Sequence, residues 1–264
     1  MKTRAALLAG LLAMAFTGLA WADDEAIATD RPDFVESSDV VGKGRWQVET
    51  SLAWERDRQG SVKARLASTP TLLRVGLGET LELRFETDGR LRLRTVADGT
   101  VARERGWSDL SAGIKWHQRD GDEDAGTPGL AWLLHVDMDS GSGAFRGQGL
   151  RPSLRLVAEW EFAGGWSAGL MPGLYRDRDG DGRHFVGAML AGVIGKSLTD
   201  KLRGFVELSG QQLAPARHGG SVVTLDAGLA YLLERNLQVD VAFARGVNKN
   251  APDLGWTVGL SARF

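Results

Sequence analysis

Long hydrophobic runs are scarce in this sequence, and only residues 5–19 form an extended apolar stretch without a charge. The stretch follows Lys2 and Arg4 and precedes Ala20-Trp21-Ala22, a pattern typical of a secretory signal peptide with its cleavage site. It is too short for a stable membrane helix, and no second stretch of helix-spanning length follows. We therefore predict that residues 1–22 are a cleaved signal peptide, with a retained anchor as the alternative.

Cysteine is absent from the 264 residues. In an exported protein this absence excludes a disulfide-stapled fold and any metal site built from thiolates. The chain has 4 histidines, which lack metal-ligand spacing, so we predict neither a metal nor a cofactor. The formal net charge of −2 lacks the basic excess of a nucleic-acid-binding protein, and no nucleic acid is expected as a partner.

Strict two-residue alternation is what the sequence has in place of long apolar runs, and it is clearest at the C-terminus. One face of the last predicted strand carries Leu254, Trp256, Val258, Leu260, Ala262 and Phe264. Successive strand residues point to opposite sides, so small and polar residues share the other face. The terminal aromatic Phe264 resembles the C-terminal signature of outer-membrane proteins, which implies the outer-membrane insertion machinery as a partner.

The same alternation recurs along the chain and predicts about twelve strands in one antiparallel up-and-down transmembrane β-barrel over residues 44–264. The predicted strands lie near 44–56, 64–76, 81–96, 101–118, 129–138, 150–162, 166–176, 184–196, 202–211, 221–232, 237–246 and 254–264. An even count places both ends of the barrel on the periplasmic side. Residues 119–129 are unusually long for a turn there. Residues 23–43 are either a periplasmic tail or a plug inside the lumen, and in the plug alternative Asp30 and Arg31 pair with lumen charges.

The charges support a membrane barrel, because in these strands they fall on the face opposite the large apolar residues. A charge on the lipid face at mid-bilayer would cost about 2–4 kcal/mol. Tryptophans near predicted strand ends, such as Trp54 and Trp166, fit an interfacial aromatic girdle. We therefore expect the chain in the bacterial outer membrane, with its lipid as a partner.

A family resemblance agrees with this architecture. Thr29-Asp30-Arg31-Pro32-Asp33-Phe34-Val35-Glu36-Ser37, followed by Gly44-Arg45-Trp46-Gln47-Val48-Glu49, resembles the N-terminal motif of the outer-membrane proteins assigned to the MetA pathway of phenol degradation. Further similarity lies in residues 74–84 and 106–110. The resemblance implies a barrel channel of the transporter type, and it carries over no catalytic residues.

Charged side chains on the inward face are the candidate site of such a channel. The residues that we predict to line the pore are Arg74, Glu82, Arg84, Glu86, Arg155, Glu159 and Glu207. They fit either an open polar pore that selects solutes or a narrow lumen filled by paired charges. Both signs are present, so strong anion or cation selectivity is not expected.

Two other groups of charges have alternative interpretations. Arg90, Arg92 and Arg94 follow Arg84 on one predicted face of the third strand. Arg103 and Arg105 lie on the neighbouring predicted strand. They form either a basic vestibule for anionic solutes or a rim against solvent and anionic lipid head groups. Residues 177–182 resemble the start of a calcium loop but lack the acidic twelfth ligand, so an acidic Gly-rich turn is the preferred interpretation.

The sequence thus predicts an outer-membrane channel for small solutes, aromatic or hydrophobic ones included, and not an enzyme. A structural barrel with a closed lumen is the first alternative. A lipid-modifying barrel enzyme is the second, because His135 and Asp137 share an inward face. No recognisable nucleophile motif accompanies this pair, which disfavours the enzyme.

Overall fold

A computed structural model describes residues 26–264, so the predicted signal peptide lies outside the described residues. The described chain forms strand segments and two single-turn 3-10 helices, Gly143–Phe145 and Ala216–His218. The strand segments are β1 (Trp46–Gln59), β2 (Val62–Ser68), β3 (Thr71–Gly76), β4 (Leu81–Thr87), β5 (Arg90–Ala97), β6 (Thr100–Trp107), β7 (Leu110–Arg119), β8 (Gly129–Asp137), β9 (Arg151–Phe162), β10 (Trp166–Arg178), β11 (His184–Ser197), β12 (Leu202–Leu213), β13 (Val222–Glu234), β14 (Leu237–Gly246) and β15 (Leu254–Arg263). Within residues 26–264, no helix has the length and apolar character needed to cross a membrane.

The segments close into one antiparallel barrel, because β15 pairs with β1 as well as with β14. Three of the wall strands each consist of two consecutive segments, β2 with β3, β4 with β5, and β6 with β7. Counted this way, the wall has 12 strands, which confirms the predicted fold class. The alternation of the sequence located these strands because each has one face toward the interior and one away from it.

Breaks in the three two-part strands lie side by side in the wall. They fall at Thr69-Pro70, Asp88-Gly89 and Ser108-Asp109, where proline lacks a donor for the ladder and Gly89 has a φ of 65°. Hydrogen bonds from Thr69 N to Asp88 O and from Ser108 N to Gly89 O, 3.0 and 2.9 Å, join the breaks. The wall therefore remains continuous where its strands change register.

The break at Asp88-Gly89 reverses the faces of the residues that follow it, and one prediction is wrong for this reason. Arg84 points into the barrel, but Arg92 is in register with Ala67, and Ala67 with Trp54 on the outward face. Arg90, Arg92 and Arg94 therefore point outward rather than sharing the face of Arg84. Uninterrupted alternation would have kept them inside.

Aromatic stacks mark both ends of the outward face along the seam between β1 and β15. Trp54 stacks on Trp256 at a centroid distance of 4.0 Å, and Trp46 stacks on Phe264 at 4.1 Å. Between them the outward residues are apolar apart from Thr50, and several of them, such as Leu52 and Val258, are exposed. An apolar band between two aromatic girdles is the expected exterior of a membrane barrel.

Turn lengths orient the barrel. The end where β1 begins carries short turns at 77–80, 163–165, 198–201 and 235–236, and the opposite end carries longer loops such as 138–150. Short turns belong on the periplasmic side. The exception expected from the sequence is present, since residues 120–128 form a long turn closed by a bridge between Asp122 and Thr127.

Asp109 organises the long loop at the outer end. Its carboxylate accepts hydrogen bonds from Gly141 N, Gly147 N and Arg151 Nη2 at 2.7, 2.8 and 2.6 Å. Burial raises the pKa of Asp109, but these donors outweigh burial and hold the pKa below its ordinary value. The ionised side chain thus ties residues 138–150 to the barrel rim.

Candidate functional site in the barrel lumen

The N-terminal stretch of residues 26–45, called the lumen segment here, lies inside the barrel. It has no regular secondary structure, so its backbone amides need partners from the wall. Inward-facing carboxylates supply them. Glu207 accepts from Phe34 N and Val35 N at 2.8 and 2.7 Å, and Glu159 accepts from Ser38 N at 2.5 Å. Wall acids thus replace the hydrogen bonds that a strand or helix would provide.

Asp30 of the lumen segment is the centre of a buried charge cluster. Its carboxylate lies 2.6 Å from Arg84 Nη1, 2.8 Å from Lys115 Nζ and 3.5 Å from Arg74 Nη1. The side chains of Arg74 and Lys115 are fully buried, and that of Arg84 is 1% exposed. Three wall cations therefore surround one anion that the wall itself does not provide.

Further carboxylates balance these cations. Glu82 lies between Arg74 and Arg84, 2.9 Å from Arg74 Nε and 2.8 Å from Arg84 Nη1. Glu36 bridges Arg84 and Arg155, with both distances 2.6 Å. Buried ions are tolerated when geometry and hydrogen bonds compensate their lost hydration. The cluster therefore needs both the wall and the lumen segment to be electrically balanced.

Apolar contacts hold the other side of the lumen segment. Val35 is 4% exposed and packs into a cluster on the inward faces of β8 to β12, which also includes Ala242 of β14. The fully buried members of that cluster are Ala131, Leu133, Val157 and Met171. The lumen thus has the charge cluster on β1, β3, β4 and β7 and an apolar patch opposite, interspersed with charges such as Glu159 and Glu207, and the segment contacts both.

A close backbone approach fixes the end of the lumen segment. A Cβ at Gly76 would lie 1.7 Å from the carbonyl oxygen of Gly42, so only glycine, which has no Cβ, fits at this position. Gly44 N donates to Gly76 O at 3.0 Å, and Gly76 N donates to Arg45 O at 2.9 Å. These bonds place the turn before β1 directly against β3.

The residues predicted to line the pore occupy three different environments. Arg74, Glu82 and Arg84 surround Asp30, while Glu159 and Glu207 hold backbone amides of the lumen segment. Arg155 pairs with Glu36, and Glu86 remains 44% exposed toward the outer end. All of them face inward, and most of them contact the chain's own N-terminal segment.

Sequence reasoning left several members of the cluster out of the candidate site. Glu49 and Lys115 alternate with outward residues like the others, so strand periodicity alone does not rank them. Asp30 was expected to pair with lumen charges only in the plug alternative and was not placed in the candidate site. Asp33 and Glu36 belong to the same N-terminal motif, whose concentrated acids were the available signal. Asp33 pairs with Arg203 at 3.0 Å, which adds a contact on the periplasmic side.

His135 lies in a setting unlike that of a catalytic base. Its Nε2 accepts a hydrogen bond from Arg84 Nε at 3.1 Å, and its Nδ1 lies 3.6 Å from Glu86. Among residues 26–264, no hydroxyl forms a hydrogen bond with this ring. The geometry lacks the nucleophile–base pair that a hydrolase requires.

Three cavities follow the barrel axis around the lumen segment. An outer cavity of about 590 Å³ and a middle cavity of about 170 Å³ share Glu86, Asp88 and Arg155 in their linings. A cavity of about 580 Å³ lies toward the periplasmic end and shares Asp33 with the middle one. The cavities are therefore neighbours along the lumen, and the middle one has the smallest volume of the three.

Comparison with known protein families identifies the family to which the chain belongs. The family described as "Putative MetA-pathway of phenol degradation" matches residues 29–264. The chain belongs to this family. The match begins at Thr29, so it includes most of the lumen segment as well as the barrel. The resemblance inferred from the N-terminal motif is thereby confirmed, while no curated protein matches the chain.

Solved structures share the barrel fold. The COG4313 outer membrane channel from Pseudomonas putida F1 superposes with a TM-score of 0.60 at 12% identity, covering 94% of this chain and 100% of that one. The translocator domain of autotransporter NalP from Neisseria meningitidis has a TM-score of 0.49 at 15% identity, with coverage of 84% and 89%. The KdgM porin has a TM-score of 0.48 at 14% identity, with coverage of 81% and 99%. Together with the apolar exterior and its girdles, the fold places the chain in the bacterial outer membrane.

Proposed function

We propose that this protein is an outer-membrane channel through which small solutes diffuse along a narrow path beside the lumen segment. The observation that carries the proposal is the series of three cavities, linked through shared lining residues. A barrel with only a structural role has no need for a series of neighbouring cavities beside its own segment. Along such a path a solute would cross the membrane down its own concentration gradient, without an energy source.

The middle cavity limits what passes. Its volume of about 170 Å³ is smaller than the roughly 300–1,000 Å³ of typical small-molecule sites. Both acids and arginines line the outer cavity, among them Asp88, Asp137 and Arg151. Mixed charge opposes strong ion selectivity, so we propose small, weakly polar solutes, single-ring aromatics included. The family's description names phenol degradation, which agrees with that size.

The lumen segment stays docked during passage in this proposal. Moving it would separate Asp30 and Glu36 from their wall cations, and a buried ion that loses its partner costs about 3–5 kcal/mol. The neighbouring cavities make such movement unnecessary. Solutes would therefore pass a stationary constriction rather than a gate.

A disulfide between the lumen segment and the wall tests this directly. A Cβ built at Gly169 on β10 lies 3.8 Å from Val35 Cβ, which is the average separation in disulfides. The Cβ at Gly169 would also lie 2.8 Å from Val193 Cγ1, so Val193→Ala is added to make room for it. The chain has no cysteine, so Val35→Cys with Gly169→Cys in the Val193→Ala background would form one defined cross-link. Planar-bilayer conductance and liposome swelling with phenol-sized solutes would be measured before and after reduction.

We expect the oxidised and reduced forms to conduct within about twofold of each other, with Val35→Cys alone as the control for the substitution. Conductance that appears only after reduction would show that the segment must move. A wild-type protein that neither conducts nor swells liposomes would instead indicate a closed structural barrel. Removal of residues 26–43 should raise the conductance if the segment is the constriction.

A further inference from the structure

A four-stranded extension of the wall continues past the outer girdle. It consists of the distal part of β1 together with β2, β5 and β6, paired in that order. In β1 the extension begins after Trp54, which stacks on Trp256 in the girdle. The surface defined by the outward side of these strands is called the basic face here.

Charge is completely segregated between the two sides of this extension. All of the charged residues on the basic face are cations, namely Arg56, Arg58, Lys63, Arg65, Arg90, Arg92, Arg94, Arg103 and Arg105. The opposite side carries the acids Glu55, Asp57 and Glu104 and no cation. Strand alternation alone would not separate positive from negative side chains so completely, since both are well hydrated in water.

The cations are also aligned across the strands. Arg56, Arg65, Arg94 and Arg103 occupy one row of directly opposed positions. Neighbouring strands are about 4.8 Å apart, so the row holds four guanidinium groups within roughly 15 Å. Like charges directly opposed are destabilising. Among residues 26–264, none of these four forms an ion pair with a carboxylate, so the protein itself leaves the repulsion uncompensated.

An apolar floor lies beside this row. Trp54, Trp256 and Leu254 line a groove of about 290 Å³ together with Arg56, Arg65, Arg92 and Arg94, and Glu55 is the one acid in its lining. The groove opens outward, away from the lumen, at the level where the girdle marks the membrane surface. A ligand that fits it has both an anionic head and an apolar body, and is held at the membrane surface.

We infer that the basic face binds the phosphorylated head group of lipopolysaccharide in the outer leaflet. Guanidinium groups match phosphate oxygens in paired hydrogen bonds, and several aligned arginines can hold more than one phosphate. The stacked indoles would contact the adjoining acyl region, where aromatic side chains are favoured. Bound phosphates would neutralise the row and remove the repulsion between its members. This inference is independent of solute passage.

The test measures lipopolysaccharide binding to the purified full-length protein in detergent, with native mass spectrometry as the detection method. The variant is Arg56→Gln/Arg65→Gln/Arg94→Gln/Arg103→Gln. The matched control is Arg146→Gln/Arg183→Gln/Arg217→Gln/Lys249→Gln, which removes the same charge from other outer loops. Heat-modifiable migration on a gel would report a closed barrel for each. A further variant with lysine at the four row positions keeps the charge without the paired geometry.

We expect the row variant to lose at least tenfold in lipopolysaccharide affinity, the lysine variant to be intermediate, and the loop control to bind as the wild type does. Enzymatically dephosphorylated lipopolysaccharide should bind the wild type as weakly as the row variant binds the intact lipid. Equal affinity of the row variant and the loop control would overturn the inference. So would full displacement of the lipid by millimolar inorganic phosphate, which would indicate a site for free anions.

Discussion

Replacement of Asp30 by asparagine should release the lumen segment more effectively than any other isosteric change within it. Asp30 is the only acid of the segment that contacts Arg74, Arg84 and Lys115 together, within the described residues. Asparagine retains an acceptor for Ser37 N, which donates to Asp30 Oδ1 at 2.8 Å. The substitution therefore removes charge while keeping shape and local hydrogen bonding.

The magnitude follows from the balance of the cluster. Arg74, Arg84, Lys115 and Arg155 face Asp30, Glu36, Glu49 and Glu82, and removing one anion leaves a buried cation in excess. Breaking a buried pair in this way costs about 3–5 kcal/mol. At about 1.4 kcal/mol per tenfold, the population of the undocked segment should rise roughly 100- to 4,000-fold.

The assay is the rate at which a maleimide labels a thiol introduced by Val35→Cys, because Val35 is 4% exposed when the segment is docked. Asp33→Asn in the same background is the control, since its partner Arg203 is 35% exposed. An ion pair of that kind is worth about 0.2–1 kcal/mol, so labelling should rise by roughly fivefold at most. Equal labelling rates for the two variants would refute the idea that the buried cluster holds the segment.

Two further predictions concern other parts of the barrel. Because the folded-state pKa of Asp109 is lowered, its contribution to loop stability is present above the unfolded pKa of about 3.9 and is lost as the pH falls through the folded value. Hydrogen-exchange protection of Gly141 and Gly147 should thus persist from neutral pH to about pH 4 and then fall, and loss near pH 6 would contradict this. Phe264→Ala should slow barrel assembly, because it removes the stack on Trp46 at the seam and the terminal aromatic expected to engage the insertion machinery. Trp54→Ala at the outer end of the seam is the comparison, and equal assembly rates would argue against a special role for the terminus.

The wall was predictable from the sequence because a membrane imposes the same two-residue rule on every strand. Lipid on one side and a lumen on the other leave each strand only one acceptable register, so the positions of large apolar residues locate it. The strand of residues 129–138 illustrates this, since Leu130, Trp132 and Leu134 face outward while Ala131 and Leu133 are completely buried inside. Local sequence therefore contained nearly all of the information needed for the wall.

The breaks and the lumen segment were harder to predict because the two-residue rule does not cover them. A break such as Asp88-Gly89 changes the phase of the alternation, and the sequence on either side remains regular. The position of Asp30 depends on cations from β3, β4 and β7, which meet only after the barrel closes. Long-range charge balance of this kind has no signature in a local window.

The lumen segment also changes what the inward charges can do. Arg74, Lys115 and Glu82 are completely buried, so they contribute to docking and are inaccessible to a passing solute. Selectivity must therefore come from charges that remain exposed, such as Glu86 and Asp137, which are 44% and 46% exposed near the outer cavity. Counting inward charges along the strands overstates the electrostatic character of the path, because most of them are neutralised by the chain's own N-terminus. In the proposed channel, a solute would therefore meet the mixed charges of the outer cavity and would not contact the buried Arg74, Lys115 and Glu82 of the cluster around Asp30.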